Sequence, residues 1–269
     1  MIMKELLERY HCMKEYIKQM KNVAVAYSAG VDSTFLLYAA KEALQDDVTA
    51  YTASLYSVPQ KEMDEAVWFC DEQSIKHIIV KMNELEIAGF SKNPKNRCYL
   101  CKREIFRKMK ALADEQGAYE LLEGSNADDR CDERPGMIAI RELKIKSPLL
   151  EYGFTKEEIR KLSKHLGLAT WDKPAYACLS SRIPYGETIT ITKLQMIEKA
   201  ESCLHKLGFR QVRVRMHTNI ARIELEPGQM EKFWEKEIRE RVKEELKDIG
   251  FKYVTVDLTG FESGNLNRV

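Results

Sequence analysis

Residues 22–33 decide the fold that we expect for this chain. Residues 22–27 read Asn-Val-Ala-Val-Ala-Tyr, a short apolar run that is typical of a buried parallel strand. Residues 28–33 read Ser-Ala-Gly-Val-Asp-Ser, and a helix rich in Leu and Ala is predicted over 34–44. A loop between a strand and a helix offers backbone N–H groups at the positive end of the helix dipole, so this loop suits a phosphate.

Strands and helices alternate around this loop. The apolar spacing predicts helices over 3–17, 59–73, 103–116 and 155–166, and strands over 48–55, 77–81 and 119–123. This alternation predicts an α/β fold with a doubly wound parallel sheet. Such sheets bind ligands at the carboxyl ends of their strands, so we expect the loops after residues 27 and 123 to share one pocket.

The pattern changes after Pro184. Helices are predicted over 192–207 and 229–247, and strands over 211–216, 221–225 and 253–258. The sequence therefore predicts two domains, a larger α/β domain over 1–185 and a smaller α+β domain over 186–269.

Composition and charge argue against a nucleic-acid-binding, membrane-spanning or secreted protein. The net charge of +1 gives no overall attraction to nucleic acid or to a membrane surface. The first residues lack the apolar run of a signal peptide, and no stretch reaches the ~20 apolar residues of a membrane span. We therefore expect a cytoplasmic protein whose seven cysteines are ligands, reactive thiols or core side chains rather than disulfides.

The candidate phosphate loop consists of Ser28, Ala29, Gly30, Val31, Asp32 and Ser33. Gly30 allows close approach of the backbone, and the hydroxyls of Ser28 and Ser33 can donate to phosphate oxygens. Asp32 would be repelled by phosphate but can hold Mg²⁺ against it. The loop lacks the Gly-Lys-Ser/Thr ending of a Walker A motif, and the alternative interpretation is an ordinary serine-rich turn.

A second polar loop follows the strand predicted over 119–123. Its candidate ligand-binding residues are Gly124, Asn126, Asp128 and Asp129. Asp128 or Asp129 could bind Mg²⁺ or a nucleotide hydroxyl. The alternative is an Asn/Asp turn without a ligand.

Cys98 and Cys101 form a Cys-x-x-Cys pair, which suits redox chemistry, zinc or an iron–sulfur cluster. Cys178 is the best candidate for a third ligand, and Cys131 competes as a fourth. The remaining cysteines are weaker candidates for ligands. Cys70 and Cys203 fall on apolar helix faces and are predicted to be core thiols, whereas Cys12 lies off the apolar face of its helix and is predicted to be exposed.

Residues 28–33 resemble the Ser-Gly-Gly-x-Asp-Ser pyrophosphate loop of the N-type ATP pyrophosphatases, and Ala29 stands where that loop has its first Gly. Residues 124–129 are similar to the Gly-Thr-Asn-x-Asp-Asp segment of the same superfamily. The resemblance implies a Rossmann-like fold and an enzyme that splits ATP to AMP and pyrophosphate. Such enzymes adenylate a carbonyl or carboxyl oxygen, which a nitrogen or sulfur nucleophile then attacks.

A closer resemblance is to the LarE family. It is carried by Pro-Ala-Tyr-Ala-Cys-Leu-Ser-Ser-Arg-Ile-Pro-Tyr-Gly at 174–186 and by the shorter motifs at 134–136, 146–149, 212–217, 221–224 and 260–264. The resemblance implies an ATP-dependent sulfur transferase that helps to build the nickel-pincer nucleotide of lactate racemase. Its substrate would be a pyridinium biscarboxylate mononucleotide, whose carboxylates become thiocarboxylates.

The LarE resemblance implies one of two sulfur sources. Some members sacrifice the sulfur of a cysteine at the position of Cys178, which becomes dehydroalanine. Others hold a 4Fe-4S cluster on three cysteines, and its fourth iron carries the sulfide. Because Cys98 and Cys101 accompany Cys178, the chain resembles the second kind; a structural or zinc-binding role of Cys98 and Cys101 is the alternative.

Arginines of the second half are candidates for gripping the phosphate and carboxylates of that substrate. They are Arg182, Arg213, Arg215 and Arg222. Surface charge or a salt bridge is the alternative for each of them. Glu201 is a candidate acid/base or metal-binding group, with a solvated helix glutamate as its alternative.

The resemblance also implies partners: a sulfide donor, other proteins of nickel-pincer cofactor biosynthesis, and copies of the chain in a homo-oligomer, often a hexamer. Nucleic acid and membrane are not expected as partners. The alternatives are a tRNA sulfurtransferase with the same adenylation chemistry, an amidotransferase-type synthetase, and a nucleotide-binding regulator without activity. The charge balance is against the first, and the three cysteines have no function in the second.

Overall fold

The computed structural model of the protein describes residues 2–118, 120–131, 135–174 and 177–262. The chain divides into two compact units. The first consists of Met1–Ile87 and Asn96–Tyr176, and the second of Ala88–Lys95 and Ala177–Val269. The sequence predicts a boundary after residue 185 and assigns 88–95 to the first domain, whereas the structure places this segment in the second unit.

Asn93 ties the segment 88–95 to the second unit. Its side-chain amide donates to the main-chain carbonyls of Ile183 and Pro184 at 3.1 and 2.7 Å. The main-chain carbonyl of Asn93 accepts from Gly186 N at 3.0 Å. Asn93 is fully buried with φ of 53°, a left-handed conformation that Asn tolerates better than most residues. Hydrophobic periodicity carries no information on such a polar contact.

The first unit is an α/β layer structure. Its helices are α1 (Ile2–Lys18), α2 (Val31–Leu44), α3 (Gln60–Glu72), α4 (Arg97–Glu115), α5 (Pro135–Glu142), α6 (Pro148–Glu151) and α7 (Lys156–His165). Its strands are β1 (Val23–Ala26), β2 (Val48–Ser54), β3 (Lys76–Lys81) and β4 (Glu120–Leu122). The strands form a parallel sheet in the order β3-β2-β1-β4, which confirms the predicted doubly wound topology.

Helix α2 is the centre of this core. Phe35, Leu36 and Leu37 are fully buried, because the helix packs on the sheet and is covered by α1 and α7. Eight of its fourteen residues are buried, and its exposed Glu42 lies near the C-terminal end. It begins at Val31, three residues before the predicted start, so Asp32 and Ser33 lie in its first turn.

The second unit contains α8 (Ile191–Lys206), α9 (Met230–Trp234) and α10 (Lys236–Ile249), with strands β5 (Val212–His217), β6 (Ile220–Leu225) and β7 (Tyr253–Val256). The sheet order is β5-β6-β7, in which β6 pairs antiparallel with β5 and parallel with β7. The single helix predicted over 229–247 is wrong, because Glu235 leaves the helical conformation and separates α9 from α10. Among the described residues, no helix has the length and apolar character needed to cross a membrane.

Candidate active site

The candidate phosphate loop joins β1 to α2. Ser28 Oγ and Ser33 Oγ lie 3.1 Å apart, and Ser28 N donates to Ser33 Oγ at 3.2 Å. The first helical hydrogen bond runs from Thr34 N to the Gly30 carbonyl at 2.9 Å. Gly30 stands at the N-cap and has no side chain to cap the helix, so the amides of the first turn are left for a ligand.

Ala29 adopts a left-handed conformation with φ of 55° and is 1% exposed. This conformation costs an L-residue about 1–2 kcal/mol. It explains the glycine that the pyrophosphatase loop carries at this position. Backbone strain of this kind is common at functional sites, where the surrounding structure holds the peptide in one orientation.

The second loop packs directly on the first. A Cβ atom on Gly124 would lie 3.1 Å from Ser33 N and 3.2 Å from Ser33 Cα, closer than ordinary van der Waals contact. Gly124 follows β4, which is the neighbour of β1 in the sheet. The two loops therefore meet at the carboxyl ends of adjacent strands, as the alternation of strands and helices predicted.

Polar side chains of the second loop hold the loop itself. Asn126 N donates to Asp129 Oδ2 at 3.0 Å, and Asn126 Oδ1 accepts from Asp128 N at 3.0 Å. Asp128 Oδ2 also accepts from Lys156 N, at the start of α7, at 2.9 Å. The bond from Asp128 N to Asn126 Oδ1 is that of an Asx turn, as the alternative interpretation expected, and the ligand-binding roles of Asp128 and Asp129 stay a prediction.

Asp32 lies in the first turn of α2 and forms an ion pair with Lys156 through Oδ2. Its Oδ1 is buried and has no hydrogen-bond partner among the described residues. Burial raises the pKa of Asp32, and the charge of Lys156 opposes this effect. A buried, unpartnered carboxylate oxygen beside the candidate phosphate loop fits a ligand of Mg²⁺.

Two lysines, Lys156 and Lys173, contact the candidate phosphate loop and carry no sequence motif that predicts this contact. Lys156 is the first residue of α7, where the helix dipole disfavours a cation. A lysine at this position of a predicted helix could have indicated that it pairs with an anionic group. Lys173 donates to the Ala29 carbonyl at 2.9 Å and to Glu62 Oε2 at 2.8 Å, and it also pairs with Glu65. Burial raises the pKa of Glu62, and its hydrogen bond with Lys173 opposes that shift.

The structure assigns the candidate cysteines to both units. Cys98 and Cys101 lie in the first turns of α4, which begins at Arg97 rather than at the predicted residue 103. The spacing of three residues puts both thiols on one helix face, a fit for two ligands of one cluster. Cys98 is exposed and Cys101 is half-buried. Cys178 belongs to the second unit and is exposed.

The other cysteines follow the sequence-based expectation. Cys12 is exposed, and Cys70 and Cys203 are buried. Burial raises the pKa of both buried thiols to about 12. The side chain of Cys131 lies outside the described residues. Within the part of the chain that the structure describes, no group of three or more His, Cys, Asp or Glu side chains is arranged to hold a metal.

Arg182 and Glu201 form a buried ion pair in the second unit. Arg182 is 1% exposed, and its Nε and Nη2 donate to the two carboxylate oxygens of Glu201 at 2.8 and 3.0 Å. Val214 N, on β5, donates to the same carboxylate at 2.9 Å. Glu201 is therefore buried and paired, and the alternative interpretation of a solvated helix glutamate is wrong. Its catalytic role remains a prediction.

The sheet of the second unit holds further arginines against carboxylates. Arg215 donates to Glu224 through Nε and Nη2 at 3.1 and 3.0 Å. Arg222 bridges Glu224, at 3.1 Å, and Asp257, at 2.6 Å. The salt-bridge alternative thus applies to both arginines, while substrate binding stays a prediction. Arg213 is buried, and its guanidinium lies 5.1 Å from the centre of the Phe261 ring.

Comparisons with known proteins cover nearly the whole chain. No protein-family model matches it. An uncharacterised protein from Synechocystis is 41% identical over 96% of both chains. An uncharacterised protein from Methanocaldococcus jannaschii is 28% identical over 97% of this chain and 98% of its own length.

A third relative has an assigned activity. The pyridinium-3,5-bisthiocarboxylic acid mononucleotide synthase from Lactiplantibacillus plantarum is 36% identical over 252 residues, which are 93% of this chain and 91% of the relative. An identity of this level over almost the full length of both chains means that they share one ancestry and one fold. The chain therefore belongs to the LarE family, the family of that synthase.

Proposed function

We propose that this protein is an ATP-dependent sulfur transferase that converts carboxylates of a pyridinium biscarboxylate mononucleotide to thiocarboxylates, a step of nickel-pincer nucleotide biosynthesis. The observation that carries the proposal is the contact of two loops, in which Gly124 meets the backbone of Ser33 at the start of α2. A family relative named for the bisthiocarboxylic acid product supports the substrate class.

The first unit would bind ATP. Hydroxyls of Ser28 and Ser33 and the amides of the first turn of α2 would donate to the phosphates, and the helix dipole would favour their negative charge. Mg²⁺ bound beside Asp32 would neutralise phosphate charge and make pyrophosphate a better leaving group. Asp32 would hold the ion through Oδ1, since Oδ2 is already bonded to Lys156.

The proposed reaction has two displacements. A substrate carboxylate oxygen attacks the α-phosphorus of ATP, the bond to pyrophosphate breaks, and an acyl-adenylate forms. A sulfide then attacks the carbonyl carbon, and AMP leaves with the carboxylate oxygen. The first step replaces oxide, a poor leaving group, by AMP. Arg182, Arg213, Arg215 and Arg222 are proposed to orient the anionic groups of the substrate.

The proposed sulfur source is a 4Fe-4S cluster on Cys98, Cys101 and Cys178. Three thiolates leave one iron of such a cluster open for an exogenous sulfide, and the cluster would supply that sulfide to the substrate. The exposure of Cys98 and Cys178 supports access of a ligand to both thiols. Sacrifice of the Cys178 sulfur is the alternative within the same function, and it limits each chain to one turnover.

Pyrophosphate release tests the function. Pyridinium-3,5-biscarboxylic acid mononucleotide is added to the anaerobic protein with ATP, Mg²⁺ and sulfide, and pyrophosphate and the mass of the nucleotide are measured. We expect release that depends on the nucleotide, with exchange of oxygen for sulfur in the product. Asp32→Asn should lose the release, and the exposed Asp47→Asn should keep it. A wild-type protein that releases none contradicts the proposal.

Iron content separates the two sulfur sources. We expect about four irons per chain with matching acid-labile sulfide in reconstituted protein, and a loss of both in Cys98→Ala, Cys101→Ala and Cys178→Ala. Cys12→Ala is the matched control, because this thiol is exposed but has no proposed role. Protein without iron that depends on Cys178 alone, and that loses the mass of one H₂S during turnover, would establish the sacrificial mechanism instead.

A further inference from the structure

The lysine that precedes Pro174 makes an unusual contact with the phosphate loop. Lys173 Nζ donates to the main-chain carbonyl of Ala29 at 2.9 Å, while its charge is balanced by Glu62 and Glu65 at the start of α3. The Lys173 side chain is only 11% exposed and that of Glu62 is 9% exposed. A buried ammonium bonded to one loop carbonyl fixes the orientation of that peptide group.

Orientation matters because a peptide group is planar and trans. The Ala29 carbonyl and the Gly30 N–H therefore lie in one plane and point in opposite directions. With the carbonyl bound to Lys173, the Gly30 N–H is presented on the side away from the lysine. Gly30 also borders the serine pair, since a Cβ atom there would lie 3.5 Å from Ser28 Oγ and 4.0 Å from Ser33 Oγ.

Helix α7 holds Lys173 in place. Arg160 Nη1 donates to the Trp171 carbonyl at 2.6 Å, and its Nη2 donates to the Lys173 carbonyl at 2.7 Å. Lys164, one turn further along, lies 4.3 Å from the centre of the Trp171 ring. The same helix carries Lys156 on Asp32. One rigid element thus fixes both sides of the phosphate loop.

We propose that Lys173 is a positioning residue for pyrophosphate: it holds the left-handed Ala29 so that the Gly30 N–H is presented to the β- and γ-phosphates of ATP. The proposal rests on the function proposed above. In this proposal Lys173 acts on the loop and does not touch the ligand. Loss of Lys173 should therefore weaken the binding of ligands that carry a pyrophosphate group and leave the binding of other ligands unchanged.

The test compares binding of ATP, pyrophosphate and AMP, each with Mg²⁺, by titration calorimetry. Lys173→Met should weaken ATP and pyrophosphate binding by about tenfold, the effect of one hydrogen bond from a charged group, and leave AMP binding unchanged. Lys161→Met is the matched control, since this lysine lies on α7 but pairs with the exposed Glu157. It should change none of the three affinities.

A second variant addresses folding and charge. Lys173→Met alone leaves the buried Glu62 without its cation. Lys173→Met combined with Glu62→Gln removes one positive and one negative charge, so the net charge of the cluster is unchanged. If the double variant is folded and binds pyrophosphate about tenfold more weakly, the lost hydrogen bond and not the charge is responsible. Wild-type affinity for pyrophosphate in this variant, or an equal loss for AMP, overturns the proposal.

The outcome for wild-type protein separates this proposal from the function on which it rests. A wild-type chain that binds neither ATP nor pyrophosphate refutes the ATP-dependent function, and the role of Lys173 is refuted with it. A wild-type chain that binds both, with variants that bind equally well, refutes only the role of Lys173.

Discussion

Lys156 Nζ donates to Asp32 Oδ2, so the first residue of α7 is bonded to the first turn of α2. The Lys156 amide is bonded to Asp128 as well, which joins the second loop to the same point. One residue therefore connects both loops of the candidate site. A lysine at the N-terminus of a helix is unfavourable, because the helix dipole is positive there. The carboxylates of Asp32 and Asp128, both bonded to Lys156, offset this cost.

The pKa of Asp32 leads to a first prediction. Because burial raises this pKa above 3.8, the folded chain binds the proton more tightly than the unfolded chain. The stability that protonation of Asp32 contributes is fully present below pH 3.8 and is lost as the pH rises through the raised pKa. At neutral pH the carboxylate therefore destabilises the fold.

We accordingly expect Asp32→Asn to raise the free energy of unfolding at pH 7, and to lower pyrophosphate release at least tenfold. Urea unfolding between pH 4 and pH 7 checks the first part, and the advantage of the variant should shrink toward pH 4. Asp47→Asn should alter neither quantity. A variant that is less stable than wild type at pH 7 would contradict the destabilising effect of the buried Asp32 carboxylate.

Gly124→Ala tests the contact between the loops. The added Cβ would lie 3.1 Å from Ser33 N and 3.2 Å from Ser33 Cα. Both are main-chain atoms, so they cannot rotate away from it. We expect a loss of about 1–3 kcal/mol in unfolding free energy and weaker ATP binding. Gly228→Ala is the control, because a Cβ there meets nothing within 4 Å and φ is not positive. Equal urea midpoints for the two variants would argue against close contact.

Ala29→Gly tests the strained peptide of the phosphate loop. Glycine adopts φ of 55° without steric cost but loses more chain entropy on folding, so we expect a change between zero and about 1 kcal/mol in favour of the variant. The same substitution at the fully buried Ala39, within α2, should cost about 1 kcal/mol or more. Urea unfolding of both variants measures the contrast, and a destabilised Ala29→Gly would show that the conformation is unstrained.

Apolar periodicity predicted the parallel sheet because alternating strands and helices leave few other topologies. The two ligand loops were predicted for the same reason, since each follows a strand. Lys173 could not be predicted, because its partners Ala29 and Glu62 are remote in sequence and a lone lysine has no pattern. The same holds for Asn93, whose polar contacts assign residues 88–95 to the second unit.

The pair of Arg182 and Glu201 supports a prediction on stability. Both side chains are nearly inaccessible, at 1% and 6% exposure, so either one alone would be a buried, uncompensated charge. We expect Arg182→Met and Glu201→Gln each to cost about 3 kcal/mol, and the double variant to cost clearly less than the sum.

A matched pair on the surface gives the control for this cycle. Lys161 and Glu157 are 49% and 78% exposed, and removal of either should cost less than about 0.5 kcal/mol. Chemical unfolding of the single and double variants measures both cycles. Additive effects for Arg182 and Glu201 would mean that the two charges are not coupled, and Arg182 would then be available for the substrate.

Thiol reactivity provides the last prediction, which connects burial to the proposed cluster. Burial raises the pKa of Cys70 and Cys203 to about 12, so little thiolate exists at pH 8 and both should resist iodoacetamide until urea unfolds the chain. The exposed Cys12, Cys98 and Cys178 should react in the native protein without iron. After anaerobic reconstitution, Cys98 and Cys178 should become protected while Cys12 stays reactive, as peptide mass spectrometry can measure. Iron-loaded protein in which all three exposed thiols still react would show that the iron is held elsewhere.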